Sequence, residues 1–138
     1  MQRFLPYSRQ YIDKKDIKRV SETLKEDFIT QGPRITSFER KFALYVGSKF
    51  AVACATGTAA LHLSCQALEL KPGENLLTTP ITFVASANCA QYVGANTFFA
   101  DIDPNNYCVS PKSLEKELKK RKIDVLVVVH MSGHPANM

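Results

Sequence analysis

Thr56-Gly57-Thr58 are the first residues in this sequence whose types and spacing suggest chemistry. They join a run of small and β-branched apolar residues, Phe50-Ala51-Val52-Ala53-Cys54, to the alanine- and leucine-rich stretch Ala59-Ala60-Leu61. The first pattern predicts a buried strand and the second a helix. A small turn containing glycine between them leaves backbone N–H groups free at the helix start. Together with the helix dipole these attract an anion, usually a phosphate. A tight turn capped by threonine accounts for the same residues without a ligand.

Other reactive side chains are less telling. His130 and His134 have the i, i+4 spacing of a metal pair, but Gly133 and Pro135 argue against the helix such a pair needs, so no metal is expected. Asp101 and Asp103 read more simply as a strand-end turn with Asp-Pro than as a cation site. Cys54, Cys65, Cys89 and Cys108 are widely spaced, without a C-x-x-C pair, in apolar or small-residue contexts that suit buried free thiols.

The elements that must position these residues follow from periodicity. Asp13 caps a helix running toward Lys25, with Ile17, Val20, Leu24 and Phe28 as its apolar stripe. Gly32-Pro33 breaks the chain, and Thr36-Ser37-Phe38-Glu39 reads as a capping box opening a second helix that Gly47 stops. After the Phe50–Cys54 strand and its helix come a strand over 75–79 and a helix through Ala85 and Ala90. A strand over 96–99 follows, then a helix capped by Ser110-Pro111 with Leu114 and Leu118 buried, and a strand over 123–129. This alternation predicts an α/β fold with a mainly parallel sheet flanked by helices. In such sheets ligands sit outside the carboxyl ends of the strands, where the phosphate turn, the Thr79–Phe83 loop, Asp101–Asp103 and His130–His134 fall.

At 138 residues, 45% hydrophobic and 22% charged, the composition is that of one globular domain and not of a disordered chain. No apolar run is long enough for a membrane span or a signal peptide, so a cytoplasmic location without membrane association is expected. The net charge of +5 comes largely from Lys14, Lys15, Lys18 and Arg19 and from Lys116, Lys119, Lys120, Arg121 and Lys122. Without interleaved aromatics these read as solvated helix faces, not a nucleic-acid platform. The chain stops nine residues after its last strand with no helix to cover it, which suggests the front part of a longer protein.

The order and spacing of several short motifs resemble the N-terminal part of the DegT/DnrJ/StrS-type sugar aminotransferases. The marks are Thr30-Gln31-Gly32-Pro33, Phe38-Glu39, Thr56-Gly57-Thr58-Ala59-Ala60-Leu61-His62-Leu63, Pro72-Gly73-Glu74, Thr82-Phe83-Val84-Ala85-Ser86-Ala87-Asn88, Gly94-Ala95, Asp101-Ile102-Asp103-Pro104, Val129-His130 and Gly133-His134-Pro135. The resemblance implies the fold type I architecture of enzymes that use pyridoxal 5′-phosphate. Residues 1–47 would form an N-terminal helical segment with a substrate loop, and 48–138 an incomplete, truncated α/β cofactor-binding large domain. Pro6-Tyr7-Ser8-Arg9-Gln10, Asp27–Pro33 and Ser86–Ala90 are most similar to members acting in pseudaminic acid biosynthesis. That implies amino transfer from glutamate to C4 of a UDP-linked 4-keto-6-deoxy-N-acetylhexosamine, by a homodimer.

The resemblance assigns Thr56, Gly57 and Thr58 to the cofactor phosphate and Phe83 to a stack on its pyridine ring. It assigns Tyr7, Asp27, Phe28, Ile29 and Thr30 to the nucleotide-sugar site. Ala55-Thr56 replace the Asn-Ser common in the family, which removes one side-chain contact to the phosphate. The catalytic lysine is expected beyond Met138, so these 138 residues alone are expected to be inactive. Two alternatives stay open. One is a nucleotide-binding module of similar fold, although Gly57 lacks the companions of G-x-G-x-x-G. The other is a non-catalytic homologue.

Overall fold

The computed structural model describes Pro6 and residues 8–138. The chain divides into two compact units, Met1–Ala53 and Cys54–Met138.

The first unit holds α1 (Lys14–Thr23) and α2 (Pro33–Val46). Asp13 caps α1 as expected. Its carboxylate accepts the N–H groups of Lys15 at 2.6 Å and Asp16 at 3.0 Å, and Asp16 answers by accepting the Asp13 N–H at 2.9 Å. Ile17 and Val20 have the spacing of a core-facing stripe, yet both stay exposed, as do Leu24 and Phe28 beyond the helix end. No residue of α1 is buried within the described residues.

The helix expected to open at Thr36 opens at Pro33 instead, with Gly32 at the N-cap. Proline suits the first helical position because its missing N–H has no acceptor there and its φ is already helical. Glu39, freed from capping, accepts the Ala53 N–H at 2.8 Å. Gly47 closes α2 in the left-handed conformation, φ +71°, as its position predicts.

The second unit contains α3 (Gly57–Ala67), β1 (Asn75–Thr78), α4 (Ala85–Gln91), β2 (Asn96–Phe99), α5 (Pro111–Lys120) and β3 (Val125–Leu126). The strands form a parallel sheet in the order β2-β1-β3, with Leu77 opposite Phe98 and Leu126. Leu76 on the central strand is fully buried against Cys65 of α3 and Cys89 and Ala90 of α4, with Leu70 and Ala95 closing the cluster. The small side chains of α4 let it lie close to both sheet and α3. The His62 and Tyr92 rings, 5.3 Å apart, brace the same helix pair.

Asp124 accepts the Asn75 N–H at 2.9 Å and ties the start of β3 to β1. Arg121, at the end of α5, lies 4.0 Å over the Phe98 ring. Ser110 caps α5 with Pro111 at the first position, as predicted. The two lysine-rich helices pair their cations with their own carboxylates, Lys18 and Arg19 with Glu22 and Lys119 with Glu115, on exposed faces.

Four further expectations are corrected. Residues 50–54 form no strand, and Phe50 and Val52 are 76% and 80% exposed. An apolar run becomes a central strand only with a hydrogen-bonded neighbour and cover on both faces, and none of the described strands pairs with it. The strand expected over 123–129 shrinks to two residues, although the Val127 N–H extends its ladder to the Leu77 carbonyl at 2.9 Å. Leu118 of α5 is half exposed and Leu114 only partly buried, so neither is buried as expected. Cys54, on the unpaired segment, is exposed, while Cys65, Cys89 and Cys108 are buried free thiols.

Candidate cofactor cradle and substrate loop

Gly57 is the first residue of α3, and the turn before it is capped by Thr56. The Thr56 hydroxyl accepts the Ala59 N–H at 3.1 Å, and the Thr56 carbonyl accepts the Ala60 N–H at 3.0 Å. These bonds leave the N–H groups of Gly57 and Thr58 without an intrahelical acceptor, and both point out of the positive end of the helix dipole. No acidic residue lies in the first turn to compete for them. A Cβ built on Gly57 would meet nothing within 4 Å, so the helix start is not crowded at this residue. Capping uses the side chain of Thr56 and leaves two main-chain amides of the same turn open to an anion. The residues present fit a phosphate.

Phe83 lies in the loop that leaves β1 for α4. Its carbonyl accepts the Ser86 N–H at 3.1 Å, which holds the main chain, and Thr82 and Ser86 share a hydroxyl contact at 3.3 Å. The ring itself is 73% exposed. A fixed backbone under a free aromatic face suits a flat ligand. Thr79, next to this loop, is buried, and its hydroxyl finds no partner among the described residues.

The parallel sheet brings three of the four predicted loops to one edge. Thr79–Phe83 follows β1, Asp101–Asp103 follows β2 and His130–His134 follows β3. The fourth, Thr56–Thr58, follows a segment that is not a strand, so pairing does not place it; α3 is held instead by α4 and the shared core. Asp101 and Asp103 serve their own turn: Asp103 accepts from the Asn105 N–H and side-chain amide at 2.8 and 2.9 Å. His130 Nδ1 accepts the Ala136 N–H at 3.0 Å.

Asp27, Phe28, Ile29 and Thr30 form the loop between α1 and α2. Phe28 and Ile29 are 68% and 61% exposed. A cavity of about 330 Å³ is lined by Lys25, Glu26, Asp27, Phe28 and Pro33. Across the loop Glu26 pairs with Arg34 at 2.5 Å. Sequence reasoning treated Gly32 as a helix breaker and passed over its second role. Its missing Cβ would stand 2.3 Å from the Phe28 carbonyl oxygen. The Gly-Pro pair signalled a break; the close approach has no signature in a single sequence. Tyr7, expected beside the same substrate, lies outside the described residues.

Comparison with known proteins places these features in context. The chain is 41% identical over 135 residues to the spore coat polysaccharide biosynthesis protein SpsC of Bacillus subtilis, covering 98% of this chain and 34% of that protein. Its fold matches the PLP-form of a putative sugar aminotransferase, Spr1654, from Streptococcus pneumoniae, with TM-score 0.85 and 27% identity over 96% of this chain and 34% of that one. It also matches the aminotransferase from Psychrobacter cryohalolentis, with TM-score 0.83 and 32% identity over 94% and 33% of the two chains. The chain thus spans about a third of the length of these relatives. Residues 10–138 match the sequence pattern of one family throughout. The chain belongs to the DegT/DnrJ/EryC1/StrS aminotransferase family.

Proposed function

We propose that these residues form the cofactor-phosphate cradle and part of the acceptor-substrate site of a pyridoxal 5′-phosphate-dependent sugar-nucleotide aminotransferase. The observation that carries this reading is the start of α3, where the first turn leaves two amides unclaimed, holds no acidic residue and has room around the Gly57 Cα. The Gly57 and Thr58 N–H groups and the Thr58 hydroxyl hold the phosphate, and the Phe83 face holds the ring and excludes water from it. When bound, the cofactor supplies the electron sink that lets an amino group move between glutamate and a sugar ketone. The protein's part is binding, orientation and charge.

In this reading residues 1–47 carry the substrate loop, and the α/β domain from 48 onward carries the cofactor. Asp27–Thr30, with Tyr7, line the nucleotide-sugar site. The acceptor is a UDP-linked 4-keto-6-deoxy-N-acetylhexosamine aminated at C4, as in UDP-4-amino-4,6-dideoxy-N-acetyl-β-L-altrosamine transaminase of pseudaminic acid biosynthesis. The motif likenesses around residues 6–10, 27–33 and 86–90 support that choice. The exposed apolar face of α1 supports an assembly that covers it, which we take to be a homodimer. Free thiols in the core suit the reducing cytoplasm.

The test is glutamate-dependent amination of the UDP-linked keto sugar by the full-length protein, followed by mass spectrometry of the product. Formation of the 4-amino sugar supports the reading. A full-length protein that takes up no pyridoxal phosphate overturns it, and one that aminates a different sugar carbon overturns the acceptor assignment. The 138-residue chain alone is expected to give no turnover, because no lysine in it matches the catalytic context; sustained amination by it defeats that expectation.

A further inference from the structure

Within the loop Asp27–Pro33 the main chain passes close to itself at Phe28 and Gly32. The Phe28 carbonyl oxygen lies where a Cβ on Gly32 would sit, 2.3 Å from it, and the Phe28 carbonyl carbon and Cβ are each 3.2 Å from the same point. A separation of 2.3 Å from a main-chain oxygen is sterically forbidden to any side chain. The conformation of Gly32 is φ −84°, ψ −176°, which is open to every residue. Glycine is therefore required here for space alone, not for a left-handed backbone.

Two further features surround this contact. Gln31 adopts φ +49°, an uncommon conformation for a residue with a side chain. Glu26 before the loop and Arg34 after it form an ion pair at 2.5 Å that ties its two ends. Gly32 is also the N-cap of α2, its carbonyl accepting the Ile35 N–H at 3.2 Å, so the loop is fixed to the start of a fourteen-residue helix.

We infer that Gly32 is a positioning residue for the acceptor substrate. By admitting the Phe28 carbonyl it sets the shape of the loop that presents Asp27, Phe28, Ile29 and Thr30 to the nucleotide sugar. This rests on the assignment of that loop to the sugar site. The same assignment gives Gly32 no part in holding the cofactor or in the exchange with glutamate. Substitution therefore separates the two halves of the reaction: the loop reshapes and the sugar binds badly, while the cradle at α3 is untouched.

The experiment uses Gly32→Ala in the full-length, cofactor-loaded enzyme. KM for the UDP-linked keto sugar is expected to rise by at least about tenfold, since displacements near 1 Å in a positioned substrate have effects of that order or larger. Cofactor absorbance and the rate of amino exchange with glutamate alone are expected to stay within about twofold of wild type. An unchanged KM for the sugar overturns the inference. So does loss of cofactor loading or of glutamate exchange, which makes Gly32 a residue of the general fold. A wild-type enzyme that exchanges with glutamate but binds no nucleotide sugar overturns the underlying loop assignment instead.

Discussion

The Glu39 carboxylate accepts the main-chain N–H of Ala53 at 2.8 Å, across fourteen positions of sequence. This bond anchors to α2 the end of a segment that belongs to none of the described strands, and it is partly withdrawn from water. Removing the acceptor strands a main-chain donor. Glu39→Ala is expected to destabilise the protein by about 1–3 kcal/mol in denaturant unfolding. Glu39→Gln keeps a carbonyl oxygen in reach and is expected to recover more than half of that loss. Equal losses in both variants would mean that charge, rather than the hydrogen bond, is what matters.

Substitutions at Thr56 and Gly57 test capping and the proposed phosphate cradle separately. Thr56→Ala removes the acceptor for the Ala59 N–H and is expected to lower stability by about 1 kcal/mol. Thr56→Ser restores it. Gly57→Ala places a methyl in open space at a helical position, so stability is expected to hold or rise by about 0.5–1 kcal/mol. The same methyl occupies the room for a phosphate, so retention of pyridoxal phosphate in the full-length enzyme is expected to fall at least about tenfold. Normal cofactor retention by Gly57→Ala removes the phosphate from this turn.

Phe83 offers the reverse test, an exposed aromatic with little to do for the fold. Phe83→Ala is expected to change unfolding stability by no more than about 0.5 kcal/mol, because its ring is already largely in water. Cofactor affinity, followed by absorbance during dialysis of the full-length enzyme, is expected to weaken about tenfold with loss of ring stacking. Phe83→Tyr is expected to behave as wild type. A large stability loss in Phe83→Ala with unchanged affinity would make the ring a packing element.

What the sequence made legible were features decided within a few residues. Asp13 and Ser110 cap where they were expected to, Pro111 sits at the first position of its helix, and Gly47 takes the left-handed turn. The strands at 75 and 96 were readable because short apolar runs lie between clear turns. Features that depend on distant partners were not. Phe50–Cys54 has the composition of a core strand and no strand beside it among the described residues. Ile17 and Val20 mark a helix face correctly but do not say what covers it. Glu39 fitted a local capping pattern while its true partner is Ala53. The approach of Phe28 to Gly32 depends on the loop's path and leaves no periodic trace.

The four thiols should react on two time scales. Cys54 is exposed, whereas Cys65, Cys89 and Cys108 are 2%, 0% and 1% exposed. Burial, reinforced by the adjacent Cys89 thiol, pushes the Cys65 thiol up to about 11, which keeps it protonated and unreactive. Titration of the native protein with a thiol reagent at neutral pH is expected to label Cys54 alone, with the other three appearing on unfolding in denaturant. Cys54→Ser is expected to abolish the fast phase. Fast labelling of Cys65 or Cys89 would mean that α3 and α4 separate readily.

The pairing of Lys122 with Asp124 at 2.5 Å predicts a definite pH dependence. The Lys122 hydrogen bond, and then the Asn75 N–H, hold the Asp124 carboxyl below its ordinary value. The same hydrogen bond, with the Asp124 charge, holds the Lys122 ammonium above its ordinary value. For Asp124 the folded protein is the stronger acid, so its contribution is complete above the unfolded value of about 3.9 and disappears as pH falls through the lower folded value. For Lys122 the contribution is complete below about 10.4 and disappears as pH rises through the higher folded value. Asp124→Asn keeps an acceptor for Asn75 and removes the charge. The stability gap between wild type and Asp124→Asn is therefore expected to be level between about pH 5 and 9 and to narrow toward both extremes, as followed by thermal melts across the range. Because the lysine is solvent-exposed, the gap is also expected to shrink with added salt. A gap that persists undiminished in strong acid would mean that the charge of Asp124 is not what distinguishes it from asparagine at this position.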